Sequence, residues 1–145
     1  MAFTVLDLLK LDLRENEALD LSCIGGRTGI TREVTAPELN RPGLALAGFY
    51  EQFAYQRIQV FGRGECAYLA KMSAECVTEP LENLFHPEVP CCVFTDQQQP
   101  TDDFRSISEN AQCPILQTTL SSSAFTARAV SALNSIFSPS ERVHG

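Results

Sequence analysis

Arg57-Ile58-Gln59-Val60-Phe61-Gly62-Arg63-Gly64-Glu65-Cys66-Ala67-Tyr68-Leu69-Ala70-Lys71-Met72 decides the fold class. The run ending at Phe61 alternates and then becomes rich in β-favouring residues, so it predicts a strand over 55–61. The glycine pair Gly62/Gly64 punctuates it, and 65–72 follows with helical spacing. A strand, a glycine turn and a helix make the half-unit of a parallel sheet, because parallel strands need a crossover between them.

The pattern recurs towards the C-terminus. Cys91-Cys92-Val93-Phe94-Thr95 is a short apolar strand between Pro90 and the polar run 96–100. Thr101-Asp102-Asp103 caps a helix reaching Asn110, with acids placed against the helix dipole. Pro114-Ile115-Leu116-Gln117-Thr118 is another buried strand, and Ser121-Ser122-Ser123 caps the longest helix, 124–137. In that helix Phe125, Ala129, Leu133 and Ile136 share one face, widened by Val130 and Phe137, and Pro139 stops it. Thr78 and Pro80 open a further helix whose buried stripe is Leu81, Leu84 and Phe85, since proline is tolerated only in a first turn.

The N-terminal half is read in the same way. Thr4 caps a short helix with Val5, Leu8 and Leu9 on one face, and 14–17 is a polar turn. Leu19-Asp20-Leu21-Ser22-Cys23-Ile24 predicts a strand, and 30–35 a returning or edge strand after the Gly25-Gly26 and Gly29 turns. In Asn40-Arg41-Pro42-Gly43-Leu44-Ala45-Leu46-Ala47-Gly48-Phe49, Asn40 is the expected cap, Pro42 the first helical residue and Gly48 the stop. This helix is apolar all round, so burial on both faces is expected. The sum is an α/β domain over 1–137, with a mostly parallel, short-stranded sheet flanked by helices, followed by a linker over 138–145.

The 145 residues suffice for one real core, and 44% hydrophobic with 20% charged residues is a folded composition. A net charge of −7 disfavours phosphate backbones and anionic lipid, so neither nucleic acid nor membrane is expected as a partner. No run approaches a membrane span, and the acidic start Met1-Ala2-Phe3-Thr4-Val5-Leu6-Asp7 is no export signal. The six cysteines (23, 66, 76, 91, 92, 113) therefore read as reduced, cytoplasmic thiols. Cys91 and Cys92 are adjacent and must point to opposite faces of a strand, so they do not share a metal ion. No metal site and no catalytic residue is expected, since neither His86 nor His144 has a partner of recognisable spacing.

The glycine loops test for phosphate transfer. Gly25-Gly26-Arg27-Thr28-Gly29 and Gly62-Arg63-Gly64-Glu65 both lack the closing Lys-Ser/Thr of a P-loop, and the lysines are Lys10 and Lys71. What remains is a small anion site at the carboxyl edge of the sheet, built from Arg41, Arg57 and Arg63. Gly43, Gly62 and Gly64 would give close backbone approach there.

Arg41-Pro42-Gly43-Leu44, Leu46-Ala47-Gly48-Phe49, Arg57-Ile58-Gln59-Val60-Phe61-Gly62, Pro90-Cys91-Cys92-Val93-Phe94-Thr95 and Pro114-Ile115-Leu116-Gln117-Thr118 occur in the order found in the N-terminal domain of bacterial HPr kinase/phosphorylases, which the chain resembles, and Val143-His144-Gly145 resembles the opening of that family's catalytic domain. The resemblance implies a fold similar to the N-terminal domain of the Mur ligases. It also implies a non-catalytic assembly or regulatory role in an ATP-dependent serine kinase of carbon catabolite regulation. ATP, magnesium and contact with the HPr carrier protein would belong to a C-terminal kinase domain, the parent protein being a homo-oligomer. A free-standing sensor of a nucleotide or phosphorylated metabolite is the alternative. The segment 73–77 departs from the family pattern.

Overall fold

In the computed structural model, which describes residues 2–16 and 18–138, eleven elements succeed one another along the chain. They are α1 (Val5–Arg14), β1 (Leu21–Gly25), β2 (Leu39–Asn40), α2 (Gly43–Leu46), β3 (Ile58–Phe61), α3 (Arg63–Lys71), α4 (Ala74–Phe85), β4 (Cys92–Phe94), α5 (Asp102–Asn110), β5 (Ile115–Thr118) and α6 (Ser122–Phe137). A single 3-10 turn, Arg27–Gly29, comes after β1.

The strands form one sheet in the order β1-β5-β4-β3-β2. β2, β3, β4 and β5 run parallel, and β1 pairs antiparallel with β5. Val60 lies opposite Val93 and Val93 opposite Leu116, so each layer of side chains is continuous across the central strands. Successive residues point to opposite faces. Phe61, Phe94, Cys92 and Ile115 therefore join one core with α2, α3, α4 and α5, and Val60, Val93, Cys91 and Leu116 join the other with α1 and α6. The expected separation of Cys91 from Cys92 holds, and a sheet covered on both faces explains why its central strands read as unbroken apolar runs.

In the first core Phe61 and Phe94 stack at 5.0 Å, and Phe104 meets both edge-on at 5.1 and 5.0 Å. Such pairs are worth about 0.5–1.5 kcal/mol each beyond the area they bury. The buried Gln59 is satisfied: its amide donates to the Ala54 and Arg57 carbonyls at 2.9 and 2.8 Å.

Several boundaries differ from expectation. The 30–35 segment is no strand; it makes one antiparallel bridge, Thr4 to Glu33. The edge position belongs to β2, and Asn40 is a strand residue whose amide donates to the Gln59 Oε1 at 2.7 Å, which removes it from the capping role. The residue flanking α2 is Pro42. Nor is α2 buried on both faces, for Ala45 and Leu46 are inside while Leu44 is 70% exposed. α1 runs into the expected polar turn as far as Arg14, held by a Thr4/Asp7 capping box.

α4 does not restart at Thr78. Ser73 caps it, accepting from the Cys76 N–H, and the helix passes through Pro80. The carbonyl that a non-proline at 80 would bond belongs to Cys76, an exposed residue with water at hand. The Pro139 stop, the 139–145 part of the linker and His144 lie outside the described residues.

Candidate functional site

At the carboxyl edge of the parallel sheet, the residues just past each strand end come together. Arg41 stands after β2, Gly62 and Arg63 after β3, Thr95 and Asp96 after β4, and the cap of α6 closes the edge after β5. Glu65 lies in the first turn of α3, three residues beyond Gly62, and its carboxylate Oε1 accepts the Gly62 N–H at 3.0 Å. This satisfies a donor that the helix start leaves free, as a capping box does.

The same carboxylate takes Arg41 in a fork. Nε donates to Oε2 at 2.7 Å and Nη2 to Oε1 at 2.6 Å. Burial pushes the Glu65 carboxyl up, but the Arg41 guanidinium and the backbone N–H groups outweigh it and hold the carboxyl below its ordinary range. The bond to Glu65 raises the Arg41 guanidinium in turn, against the opposing effect of burial. Burial pushes the neighbouring Cys66 thiol up to about 11.

Gly62 is the pivot of this cluster. A Cβ there would stand 2.5 Å from Ser122 Oγ and 2.7 Å from Arg41 Nη2. Ser122 in turn shares a 2.6 Å hydrogen bond with the buried Thr95 hydroxyl. A cleft of about 650 Å³ opens between Arg41 and the first turns of α6, lined by Ser121, Ser122, Ser123, Thr126 and Ala127. A second depression, about 300 Å³, lies on the other side of Arg41 beside Gly43, Gly64 and Tyr68.

Of the six residues named for an anion site, five lie at this edge, Gly64 beside Arg41 and Gly43. Arg41, Gly43 and Gly62 are close together, and Arg63 is 78% exposed with Nη2 3.7 Å from Asp96 Oδ1. Arg57 does not converge with them. It precedes β3, and the five steps from it to Gly62 span about 16 Å of extended chain. Glu65 was missed as the partner of Arg41, although its place three residues beyond Gly62 is itself a capping signal.

The arrangement sets a half-exposed guanidinium, paired with Glu65, beside hydroxyls and a helix start. His86 ends α4 at the surface. Among the described residues no group of three or more His, Cys, Asp or Glu is placed to hold a metal ion. The first glycine loop is no phosphate cradle. In the Gly25-Gly26-Arg27-Thr28-Gly29 loop, a Cβ on Gly26 would lie 2.0 Å from the Cys113 carbonyl oxygen and one on Gly29 1.8 Å from that of Gln112. These glycines face protein backbone rather than a phosphate.

Comparison with known proteins identifies the family. The model of the HPr serine kinase N terminus matches residues 8–133. An HPr kinase/phosphorylase of Treponema pallidum (strain Nichols) is 44% identical over 138 residues, covering 95% of this chain and 43% of the relative. That of Leptospira biflexa is 31% identical over 133 residues, 92% of this chain and 41% of the relative. The chain thus spans less than half the length of these relatives. Among solved structures, the CBS and DRTGG domains of the regulatory region of Clostridium perfringens pyrophosphatase, complexed with the activator diadenosine tetraphosphate, align with a TM-score of 0.52 at 11% identity. That alignment covers 79% of this chain and 43% of the other, and shows a shared fold. With the family model matching well over half of its residues, this chain belongs to the HPr serine kinase N-terminal family.

Proposed function

We propose that the chain is the non-catalytic, N-terminal part of an ATP-dependent HPr serine kinase/phosphorylase, serving assembly or regulation in the control of carbon catabolism in the cytoplasm. One observation carries this reading. The alignment covers 95% of this chain but 43% of its Treponema relative, and the part covered has no P-loop. ATP and magnesium then belong to a kinase domain beyond α6, as does the contact with HPr, and the parent protein is a homo-oligomer. Incubating the purified chain with ATP, magnesium and HPr tests it. No phosphoserine is expected on the carrier, whereas the full-length protein should produce it; transfer by residues 1–145 alone overturns the reading.

A second reading, a sensor of a nucleotide or phosphorylated metabolite, is favoured by the Arg41 guanidinium at the mouth of the α6 cleft. The fold neighbour carries a nucleotide activator, but at that identity it lends only the fold. Calorimetric titration with ATP, ADP, diadenosine tetraphosphate and inorganic phosphate decides this. Heat that disappears in Arg41→Ala supports a sensor, and no heat from any of the four removes it.

A further inference from the structure

Phe49-Tyr50-Glu51-Gln52-Phe53-Ala54-Tyr55 gathers four aromatic rings, two of the chain's three tyrosines among them, in a stretch that is neither helix nor strand. Two successive turns set three of the rings in place. The Phe53 N–H donates to the Tyr50 carbonyl at 3.0 Å and the Tyr55 N–H to the Phe53 carbonyl at 2.9 Å. Tyr50 Oη donates to the Pro80 carbonyl at 3.3 Å, which anchors the stretch to α4. Tyr50 and Phe53 rest half-buried on the first core, and Tyr55 stays 38% exposed. All three line a depression of about 530 Å³, which Asn83, His86 and Pro87 close from the α4 side and Glu51 completes. Tyr55 precedes β3 and Pro87 precedes β4, so the depression lies at the amino edge of the sheet, away from the Arg41 cleft.

The charge around these rings selects what they take. The two stretches that form the depression, 42–56 and 72–90, carry Glu51, Glu75, Glu79, Glu82 and Glu88 and neither lysine nor arginine. Glu79 comes four residues before Asn83 and seven before His86, so it shares their side of α4. Such a wall repels anions and attracts cations. A second copy is excluded by the same sign, because a two-fold axis sets a patch against itself and would bring glutamate to glutamate. An arginine answers every feature: its guanidinium stacks flat on tyrosine rings and forks a carboxylate. The volume is that of a site for a ligand larger than one side chain, and the Asn83 amide offers both a donor and an acceptor to a backbone. An extended segment, with its own N–H and C=O groups unpaired, supplies both needs at once.

We propose that the Tyr50/Phe53/Tyr55 depression is a docking site for an extended, arginine-bearing segment of a partner protein. Titration of the 15N-labelled chain with a capped hexapeptide of alternating arginine and proline tests it, the prolines keeping the probe extended. The expected result is saturable shifts confined to 50–55 and 83–87. The Kd should rise at least about threefold in Tyr55→Ala and in Glu51→Gln and stay within twofold in Tyr68→Ala, a tyrosine 43% exposed on α3. All three positions are exposed, and a dispersed amide spectrum checks that each variant folds. No saturation by about 5 mM peptide, shifts scattered over the surface, or a smaller rise in either Tyr55→Ala or Glu51→Gln overturns the site. A hexapeptide of alternating glutamate and proline that binds as tightly overturns the charge argument. Free arginine amide that binds as tightly as the hexapeptide overturns the segment and leaves a site for a small cation.

Discussion

Glu65 Oε1 serves Arg41 Nη2 at 2.6 Å and the Gly62 N–H at 3.0 Å at once. One oxygen thus ties the strand end of β2 to the first turn of α3. Removing Arg41 leaves Glu65, 8% exposed, without its countercharge. Arg41→Ala should cost about 1–2 kcal/mol in urea unfolding, below the 3–5 kcal/mol of a fully buried pair because Arg41 is half in water. Arg41→Lys should recover less than half of it, since an ammonium cannot fork both oxygens.

The same pair sets a pH dependence. The folded Glu65 carboxyl lies below its unfolded value of about 4.5, so the unfolded chain takes up the proton first. The stability contributed is complete above that value and is lost as pH falls through the lower, folded one. Unfolding midpoints measured from pH 6 down to pH 3 should decline in the wild type below pH 4.5. In Arg41→Ala that decline should be shallower.

The glycines divide by what surrounds them. At Gly29 a Cβ meets the Gln112 carbonyl oxygen at 1.8 Å, and at Gly26, φ +63°, it meets that of Cys113 at 2.0 Å. Both obstacles are backbone, with no free end to swing away. Gly29→Ala should cost about 3 kcal/mol or more, within the range of severe steric and backbone substitutions. Gly62→Ala meets side-chain ends of Ser122 and Arg41 instead and should cost less. Gly64, exposed within α3 with nothing inside 4 Å of its Cβ position, should gain about 0.5–1 kcal/mol as alanine. Chemical denaturation of the three variants gives the ranking.

How legible each element is in the sequence depends on where its signal arises. β3, β4 and β5 announce themselves because both sheet faces are covered, so Ile58, Val60, Phe61, Val93 and Leu116 all had to be apolar. Thr101 and Ser121 are visible as caps because their hydroxyls bond their own helices, to the Phe104 and Ala124 N–H groups. β2 carries no such local mark. Leu39 and Asn40 are strand only by pairing with Ile58 and Gln59, nineteen residues on in sequence. At the site, Arg41 could be placed at the carboxyl edge, but its grip on Glu65 is a tertiary contact. Arg57 was misplaced because charge was counted without measuring the strand between it and Gly62.

Asp12 tests a buried tie that has no charge partner among the described residues. At 2% exposure it accepts the Leu19 N–H at 2.7 Å and the Leu21 N–H at 2.9 Å, holding the end of α1 against the start of β1. Asp12→Ala strands the buried Leu19 donor and leaves the part-buried Leu21 donor unpaired, at about 2–3 kcal/mol. Amide exchange should quicken at Leu19 and Leu21 ahead of β3 and β4, since the loss is local to the first strand.

The thiols give a prediction of chemistry rather than stability. Cys76 is exposed, Cys66 half-buried, and Cys91, Cys92 and Cys113 are fully enclosed. Burial raises the Cys91 and Cys92 thiols well above their ordinary value, and that of Cys66 to about 11. At pH 8 a thiol of that kind is only ~0.1% thiolate, the form that reacts. Labelling with iodoacetamide, read by mass spectrometry, should therefore reach Cys76 first. Cys66 should gain about tenfold in rate per pH unit until the solution nears 11, and Cys91 and Cys92 should stay unlabelled until the protein unfolds. Labelling of Cys91 or Cys92 in the folded chain at the rate of Cys76 would mean that the sheet is not covered on both faces.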